Sequence, residues 1–109
     1  MPAYQITGTL VEVAVDTPTT LSFSTTTTNP AGNRGLSFLK IDNEDLTTAS
    51  ALTISLTAEV SALDYNNATL VAPGSTVFVQ VAPAGYVGPV YVRVNGGTAL
   101  WVQPVSIVG

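Results

Sequence analysis

The sequence predicts an all-β protein, an antiparallel β-sandwich of two sheets with about eight strands, and three observations support this prediction. Val occurs 15 times and Thr 16 times, and both residue types favour the pleated surface of a sheet. Apolar and polar residues alternate along several segments, which is the period of a strand. Pro, Gly, Asn and Asp separate these segments at short intervals, as turns do. Jelly-roll and immunoglobulin-like connections both fit this pattern.

The length of the chain indicates a single domain over residues 1–109. A chain of 109 residues suits one core and leaves no room for a second. It buries roughly 65% of the surface that the unfolded chain exposes, which is enough to stabilise one sandwich. There is no cysteine, so no disulfide contributes, and folding in a reducing compartment is favoured.

The first predicted strand covers residues 4–15 and changes its apolar face near Gly8. Such a change is expected if the strand bends, carries a bulge at Gly8, or passes from one sheet to the other. An extended segment of this length spans about 40 Å, which is longer than a typical strand. Its first part is therefore either an ordinary edge of the sheet or an extended arm that reaches a neighbouring subunit.

The next elements in the first half of the chain are short and are separated by polar turn residues. They are a turn at residues 16–18, a strand over 19–27, a loop over 25–35, a strand over 36–41 and a turn at 42–45. The strand over 36–41 is apolar on both faces except for Lys40.

The clearest half-buried strand covers residues 52–61, where apolar and polar residues alternate strictly. The following elements are a loop over 63–68, a strand over 69–72, a type II turn at Pro73-Gly74, a strand over 76–82 and a loop over 83–89. The predicted core of this half is Leu52, Ile54, Leu56, Val77, Val79, Val81, Val90, Val92 and Val94. The residues predicted to face outward are Thr53, Ser55 and Thr57.

Gly96-Gly97 predicts the turn of a hairpin between strands at residues 90–94 and 99–102. A two-residue turn places Trp101 in the core, and a three-residue loop pairs it with Tyr91 on the opposite face. The two-residue turn is the commoner, so a core position of Trp101 is favoured. Pro104 cannot donate to a ladder, so the strand is expected to lie at an edge or to break there. Residues 105–109 are then a second apolar arm.

Charged residues make up only 9% of the chain, whereas about 25% is usual. Apolar residues make up 46% and the mean hydropathy is +0.40. Either neighbouring subunits cover much of the surface, which predicts self-association, or a Ser/Thr-rich surface with a net charge of −4 is soluble alone. Three scattered basic residues argue against nucleic-acid and anionic-membrane partners. No apolar run is long enough for a transmembrane helix.

The residue types that most often carry catalysis are missing. The chain has no histidine and no cysteine, which removes the commonest general base, the thiol nucleophile and nearly all transition-metal ligands. The sequence therefore predicts a chain that is not an enzyme and has no cofactor and no metal. Oxygen atoms of residues 42–45 are alternative Ca²⁺ ligands, but their spacing is not that of an EF-hand loop, and a solvated turn is favoured.

The C-terminal part of the chain resembles small bacteriophage virion proteins, namely head decoration (cement) proteins and related β-sandwich modules. The resemblance lies in the Val-rich strand that follows Pro73-Gly74, in the Gly88-Pro89 entry to the next strand, and in Gly96-Gly97-Thr98-Ala99. It implies a non-catalytic protein that is made in the host cytoplasm without a signal peptide. It also implies a homotrimer that binds the major capsid protein or another virion protein, with no cofactor.

The chain ends supply the predicted interface, because apolar ends on a lone soluble domain would fray and expose an edge. The interface residues predicted on this basis are Tyr4, Ile6, Val105, Ile107 and Val108. Two other functions remain as alternatives. A carbohydrate- or cell-surface-binding module would use Tyr86, Tyr91 and Trp101 as a stacking platform, and a tail-tube or filament subunit would use non-closing contacts.

Overall fold

The computed structural model of the protein describes residues 4–23, 36–58, 60, 68–82 and 86–107. In these residues all regular structure is β, and there is no helix long and apolar enough to cross a membrane. The strands are β1 (Tyr4–Ile6), β2 (Val11–Val13), β3 (Thr19–Phe23), β4 (Leu36–Asp42), β5 (Ser50–Ser55), β6 (Ala68–Val71), β7 (Thr76–Ala82), β8 (Gly88–Asn95) and β9 (Leu100–Ile107).

Two antiparallel sheets form the predicted sandwich. The first sheet has the order β1-β9-β4-β7, and β2 pairs with β9 on the same edge as β1. The second sheet has the order β3-β8-β5-β6. Counting β1 and β2 as one interrupted strand, the pairs β1/β2–β9, β3–β8, β4–β7 and β5–β6 are nested like a long hairpin folded over on itself. This nesting is the jelly-roll arrangement, so of the two predicted connection patterns the structure has this one.

The long N-terminal strand is interrupted at Gly8, as its change of apolar face predicts. A Cβ atom on Gly8 would lie 2.5 Å from the carbonyl oxygen of Ser22 and 2.7 Å from Cγ of Pro104, so only glycine fits between the two sheets there. After β2 the chain leaves the first sheet, and Val15 forms a bridge with Val94 of the second. The single strand expected over residues 4–15 is therefore two short strands followed by a crossing.

The expected break of the last strand at Pro104 is wrong. Strand β9 continues to Ile107 and lies in the middle of the first sheet, paired with β1 and β2 on one side and with β4 on the other. The amide of Thr7 donates to the carbonyl oxygen of Pro104 at 3.1 Å. The nitrogen of Pro104 points to the same side as this oxygen, towards the interruption around Gly8, so its missing N–H costs no bond to β4.

The core lies between the two sheets and contains four of the nine residues predicted for it, Leu52, Val90, Val92 and Val94. Its fully buried members are Val13, Phe23, Leu39, Ile41, Leu52, Val71, Val90, Val92, Val94, Leu100 and Val102, with Leu21 almost as buried. Five residues predicted for the core are only half-buried and pack against it from one side: Ile54, Leu56, Val77, Val79 and Val81. The strand predicted over residues 52–61 ends at Ser55, and Thr57 is exposed as expected.

Thr53 points away from the core as predicted, but it is only 3% exposed, because Asn95 on the neighbouring strand covers it and donates from Nδ2 to its Oγ1 at 2.8 Å. The hairpin predicted after β8 is wrong. Gly96-Gly97 does not turn a hairpin, since β8 belongs to the second sheet and β9 to the first. The type II turn at Pro73-Gly74 is confirmed by a φ of +67° at Gly74.

Candidate interaction surface

The first sheet presents an apolar outer face to its surroundings. Side chains alternate along each strand, so the residues between the core positions of β9, β4 and β7 point away from the second sheet. On β9, for example, Leu100 and Val102 are in the core and Trp101 is not. The apolar face, as we name it, consists of Ile6, Phe38, Phe78, Trp101, Val105 and Ile107.

The register of the strands brings these residues together. Ile6 on β1 lies opposite Val105 on β9, and Val105 lies opposite Phe38 on β4. Val105 is fully buried, although it lies on the outer side of β9, whereas Ile6 is 62% exposed. Trp101 is half-buried on this side, so the favoured prediction of a core Trp101 is wrong. The chain crosses from one sheet to the other at Gly96-Gly97, and this crossing, not a hairpin turn, determines to which side the Trp101 side chain points.

Polar side chains share this side of the sheet with the apolar face, and three of them, Lys40, Asp42 and Thr76, compensate one another. Nζ of Lys40 lies 3.1 Å from a carboxylate oxygen of Asp42, and both side chains are about three-quarters buried. The hydroxyl of Thr76 also donates to Asp42. Lys40 and Asp42 already neutralise each other within the face. Burying this pair under another protein therefore costs less desolvation free energy than burying two separate ions would. Glu12, which lies opposite Trp101, is exposed.

The outer face of the second sheet is polar. Most of its outward residues are polar or small, namely Thr20, Ser22, Ala51, Thr53, Ser55, Tyr91, Arg93 and Asn95, and the one large aliphatic side chain among its paired outward residues is Leu70, which is 71% exposed. Nε of Arg93 donates to Oδ1 of Asn95 at 3.2 Å, and its guanidinium lies 3.7 Å from the carboxylate of Asp16. Water solvates such a face well, so the two sides of the sandwich differ in what they can bind. The apolar face is the candidate interaction surface.

Four of the five predicted interface residues lie on the two neighbouring strands β1 and β9. Tyr4 is the register partner of Ile107, and Ile6 is the partner of Val105. The two chain ends are thus paired with each other in one sheet, which is the ordinary edge that the sequence left open as an alternative. Val105 is buried and supports the fold, while Ile6 is available to a partner. The side chain of Tyr4 and all of Val108 lie outside the described residues.

Phe38 and Phe78 on the apolar face were not predicted from the sequence, and Trp101 was placed on an outer face only by the less favoured three-residue loop. Phe38, Phe78 and Trp101 each lie on a strand whose other side faces the core. A signal for one of them was present, because the segment at residues 36–41 is apolar on both faces. A strand that is apolar on both faces is expected to be covered on both sides. One side is covered by the second sheet, and the other side needs another chain segment or another protein.

Two of the carboxylates in residues 42–45, those of Asp42 and Asp45, have structural partners. The carboxylate of Asp45 accepts hydrogen bonds from the backbone amides of Thr47 and Thr48, at 2.8 and 2.9 Å, and from the Thr47 hydroxyl. These bonds stabilise the charged form and hold the pKa of Asp45 below its usual 3.8, with the Thr47 amide as the largest cause. Asn43 is buried and ties the loop to Thr48 through its side-chain amide. Within the residues that the structure describes, no group of three acidic side chains could hold a metal ion.

The three aromatic residues considered for sugar binding do not form one platform. The ring of Tyr86 packs edge-on against Phe23 with a centroid distance of 5.8 Å, and its hydroxyl donates to the carbonyl oxygen of Pro89. Tyr91 lies on the outer side of the second sheet and Trp101 on the outer side of the first. Stacking on one sugar chain needs rings on a common surface, so this arrangement does not favour that alternative.

Comparisons of the chain with models of protein families, with curated proteins and with solved structures gave no match.

Proposed function

We propose that the protein is a non-catalytic structural component of a bacteriophage virion, a capsid decoration (cement) protein that binds the shell and stabilises it. The apolar face is the observation that carries this proposal, because an accessory protein of this kind acts by laying one surface on the lattice of another. Jelly-rolls occur in viral capsid proteins among other proteins, so the fold agrees with this role without determining it.

The size of the apolar face limits how tightly one copy binds. Four strands spaced by about 4.8 Å, with about 3.3 Å per residue along β9, give a face of about 500 Å². A fully exposed apolar area of this size would contribute roughly 12 kcal/mol on burial, at about 25 cal/mol per Å². The face contributes less, because Val105 is already buried, most other members are half-buried, and polar side chains share the surface. Association itself costs roughly 4–15 kcal/mol. One copy therefore binds weakly, and several copies joined in one particle bind more tightly through avidity.

This balance supports a homo-oligomer, and the resemblance to phage decoration proteins implies a trimer. The proposed partner is the major capsid protein or another virion protein, and the proposed location is the virion. In this role the chain needs no cofactor, nucleic acid or membrane. The low fraction of charged residues supports the same reading, since a surface that another subunit covers does not need charge for solubility.

Shell binding by two matched variants tests the proposal. Ile6→Asp places a carboxylate on the apolar face at a position that is 62% exposed, and Leu70→Asp makes the same change on β6 of the other sheet, where the residue is 71% exposed. Co-sedimentation with empty shells of the major capsid protein from the same virus measures binding. Ile6→Asp is expected to weaken binding at least tenfold, which corresponds to about 1.4 kcal/mol.

Leu70→Asp is the control and is expected to bind as the unmodified chain does. Both variants should keep their free energy of unfolding within about 0.5 kcal/mol, because both side chains are exposed. Shells with the bound chain should also resist heat and chaotrope better than bare shells. An unmodified chain that does not bind shells, or two variants that lose binding equally, would contradict the proposal.

A further inference from the structure

One row of side chains on the outer side of the first sheet places an indole ring between two carboxylates. Trp101 on β9 has Glu12 of β2 as its register partner on one side and Asp42 of β4 on the other. Directly opposite residues on one face of an antiparallel pair have Cβ atoms about 4.5–5.5 Å apart, so the three side chains are neighbours. Val105, the register partner of Ile6, lies about 13 Å further along β9. The row is therefore the charged end of the apolar face.

The two carboxylates of this row differ in what they contact. Asp42 is partly buried, is paired with Lys40 at 3.1 Å and accepts a hydrogen bond from the Thr76 hydroxyl. Glu12 is exposed, and within the part of the chain that the structure describes it takes part in no hydrogen bond or ion pair. Among the described strand residues on this side of the sheet, two carboxylates and one ammonium group leave one negative charge uncompensated. This charge is that of Glu12.

Trp101 gives this uncompensated charge a neighbour that also attracts cations. Its indole ring is half-buried, and no acceptor among the described residues takes its N–H. The face of an indole ring attracts cations more strongly than the face of other aromatic side chains, and this adds to the attraction of the adjacent carboxylate. A guanidinium group suits both, because its plane stacks on a ring while its N–H groups donate to a carboxylate. An ammonium group is more strongly hydrated and has no plane for stacking, so the pair favours arginine over lysine.

We propose that Glu12 and Trp101 form a docking site for an arginine side chain of a partner protein, which stacks on the indole and donates to the carboxylate. Charge complementarity carries this choice of occupant, since the uncompensated charge on this side of the sheet is negative. The chain itself has three basic residues. Lys40 and Arg93 are held in ion pairs and Arg34 lies outside the described residues, so a different protein is the better source. Identifying that protein as the major capsid protein rests on the proposed function.

Shell binding by two variants with the same change in net charge tests the docking site. Glu12→Gln keeps the length of the side chain and removes its charge, so co-sedimentation with empty shells of the major capsid protein should weaken about tenfold. The control, Asp16→Asn, removes a charge beside Arg93 of the second sheet, where asparagine tolerates the φ of 57°, and should bind as the unmodified chain does. Added salt should weaken binding of the unmodified chain more than binding of Glu12→Gln. Equal losses in the two variants, or no loss in either, would overturn the inference.

A blocked tri-arginine peptide tests the same site without shells. Trp101 is the single tryptophan, so its indole N–H gives one NMR resonance. This resonance should shift saturably with the tri-arginine peptide at millimolar concentration and shift less with a matched tri-lysine peptide. It should stay in place when the tri-arginine peptide is added to Glu12→Gln. Equal shifts with the two peptides, or a shift that Glu12→Gln retains, would overturn the inference.

These measurements separate the docking site from the proposed function. Shells that bind through Ile6 and bind Glu12→Gln equally well overturn the docking site and leave the proposed function standing. A shift with the tri-arginine peptide that depends on Glu12, together with a chain that does not bind shells, supports the docking site and contradicts the proposed function. If Glu12→Gln changes the sedimentation mass of the chain alone, the arginine comes from a second copy and the inference is overturned.

Discussion

Alanine substitutions at Leu52 and Ile54 are expected to differ in cost, although both residues lie on β5 and both were predicted for the core. Leu52 is fully buried in the core cluster, so Leu52→Ala leaves a closed cavity and should cost about 3–5 kcal/mol. Ile54 is half-buried and already lines a cavity of about 230 Å³ between the second sheet and β7. Ile54→Ala therefore loses only part of the transfer free energy, at about 0.8 kcal/mol per methylene, and should cost about 1–1.5 kcal/mol.

Thermal and urea unfolding followed by the fluorescence of Trp101 measure this difference. Trp101 is the single tryptophan and lies on the outer side of the other sheet, so it reports global unfolding and not local repacking. The midpoint should fall by about 12–20 °C for Leu52→Ala and by about 4–6 °C for Ile54→Ala. A low protein concentration keeps association from adding stability. Equal losses in the two variants would refute the assignment of Ile54 to an open cavity.

Three further changes test other parts of the structure. Gly8→Ala should cost about 1–3 kcal/mol in unfolding free energy, because its Cβ meets the backbone of Ser22 and the ring of Pro104; a neutral result would contradict the close approach. Asn95→Ala should cost about 1–3 kcal/mol, because it leaves the buried Thr53 hydroxyl without its donor, and much of that cost should vanish when Thr53→Val is added. The hydrogen bonds to Asp45 lower its pKa in the folded state, so their stabilisation is complete above the usual value of 3.8 and is lost as the pH falls through the lower folded value. Urea midpoints from neutral pH to pH about 3 should therefore fall less for Asp45→Asn than for the unmodified chain, and parallel curves would contradict this account.

The candidate surface was predictable only in part. The apolar chain ends pointed to Ile6 and Ile107, and both lie on the apolar face. The same reasoning included Val105, which is buried, because exposure depends on the neighbouring strand and not on the residue itself. Phe38 and Phe78 were missed for the same reason. Their exposure depends on what covers the outer side of β4 and β7, and alternation within one strand does not contain that information.

The local pattern by itself determined the class of the fold, the positions of most strands and much of the core. Alternation placed Val90, Val92 and Val94 inward, and Pro73-Gly74 specified its turn, because strand period and turn geometry depend on neighbouring residues. Only the tertiary structure decided which strands share a sheet. A connection between consecutive strands has similar residues whether it turns within one sheet or crosses to the other, and this choice sets the direction of Trp101. The effect of Pro104 also depended on the tertiary structure. A missing N–H breaks a strand only where the neighbouring strand would accept its hydrogen bond, and the neighbouring strand is interrupted at Gly8.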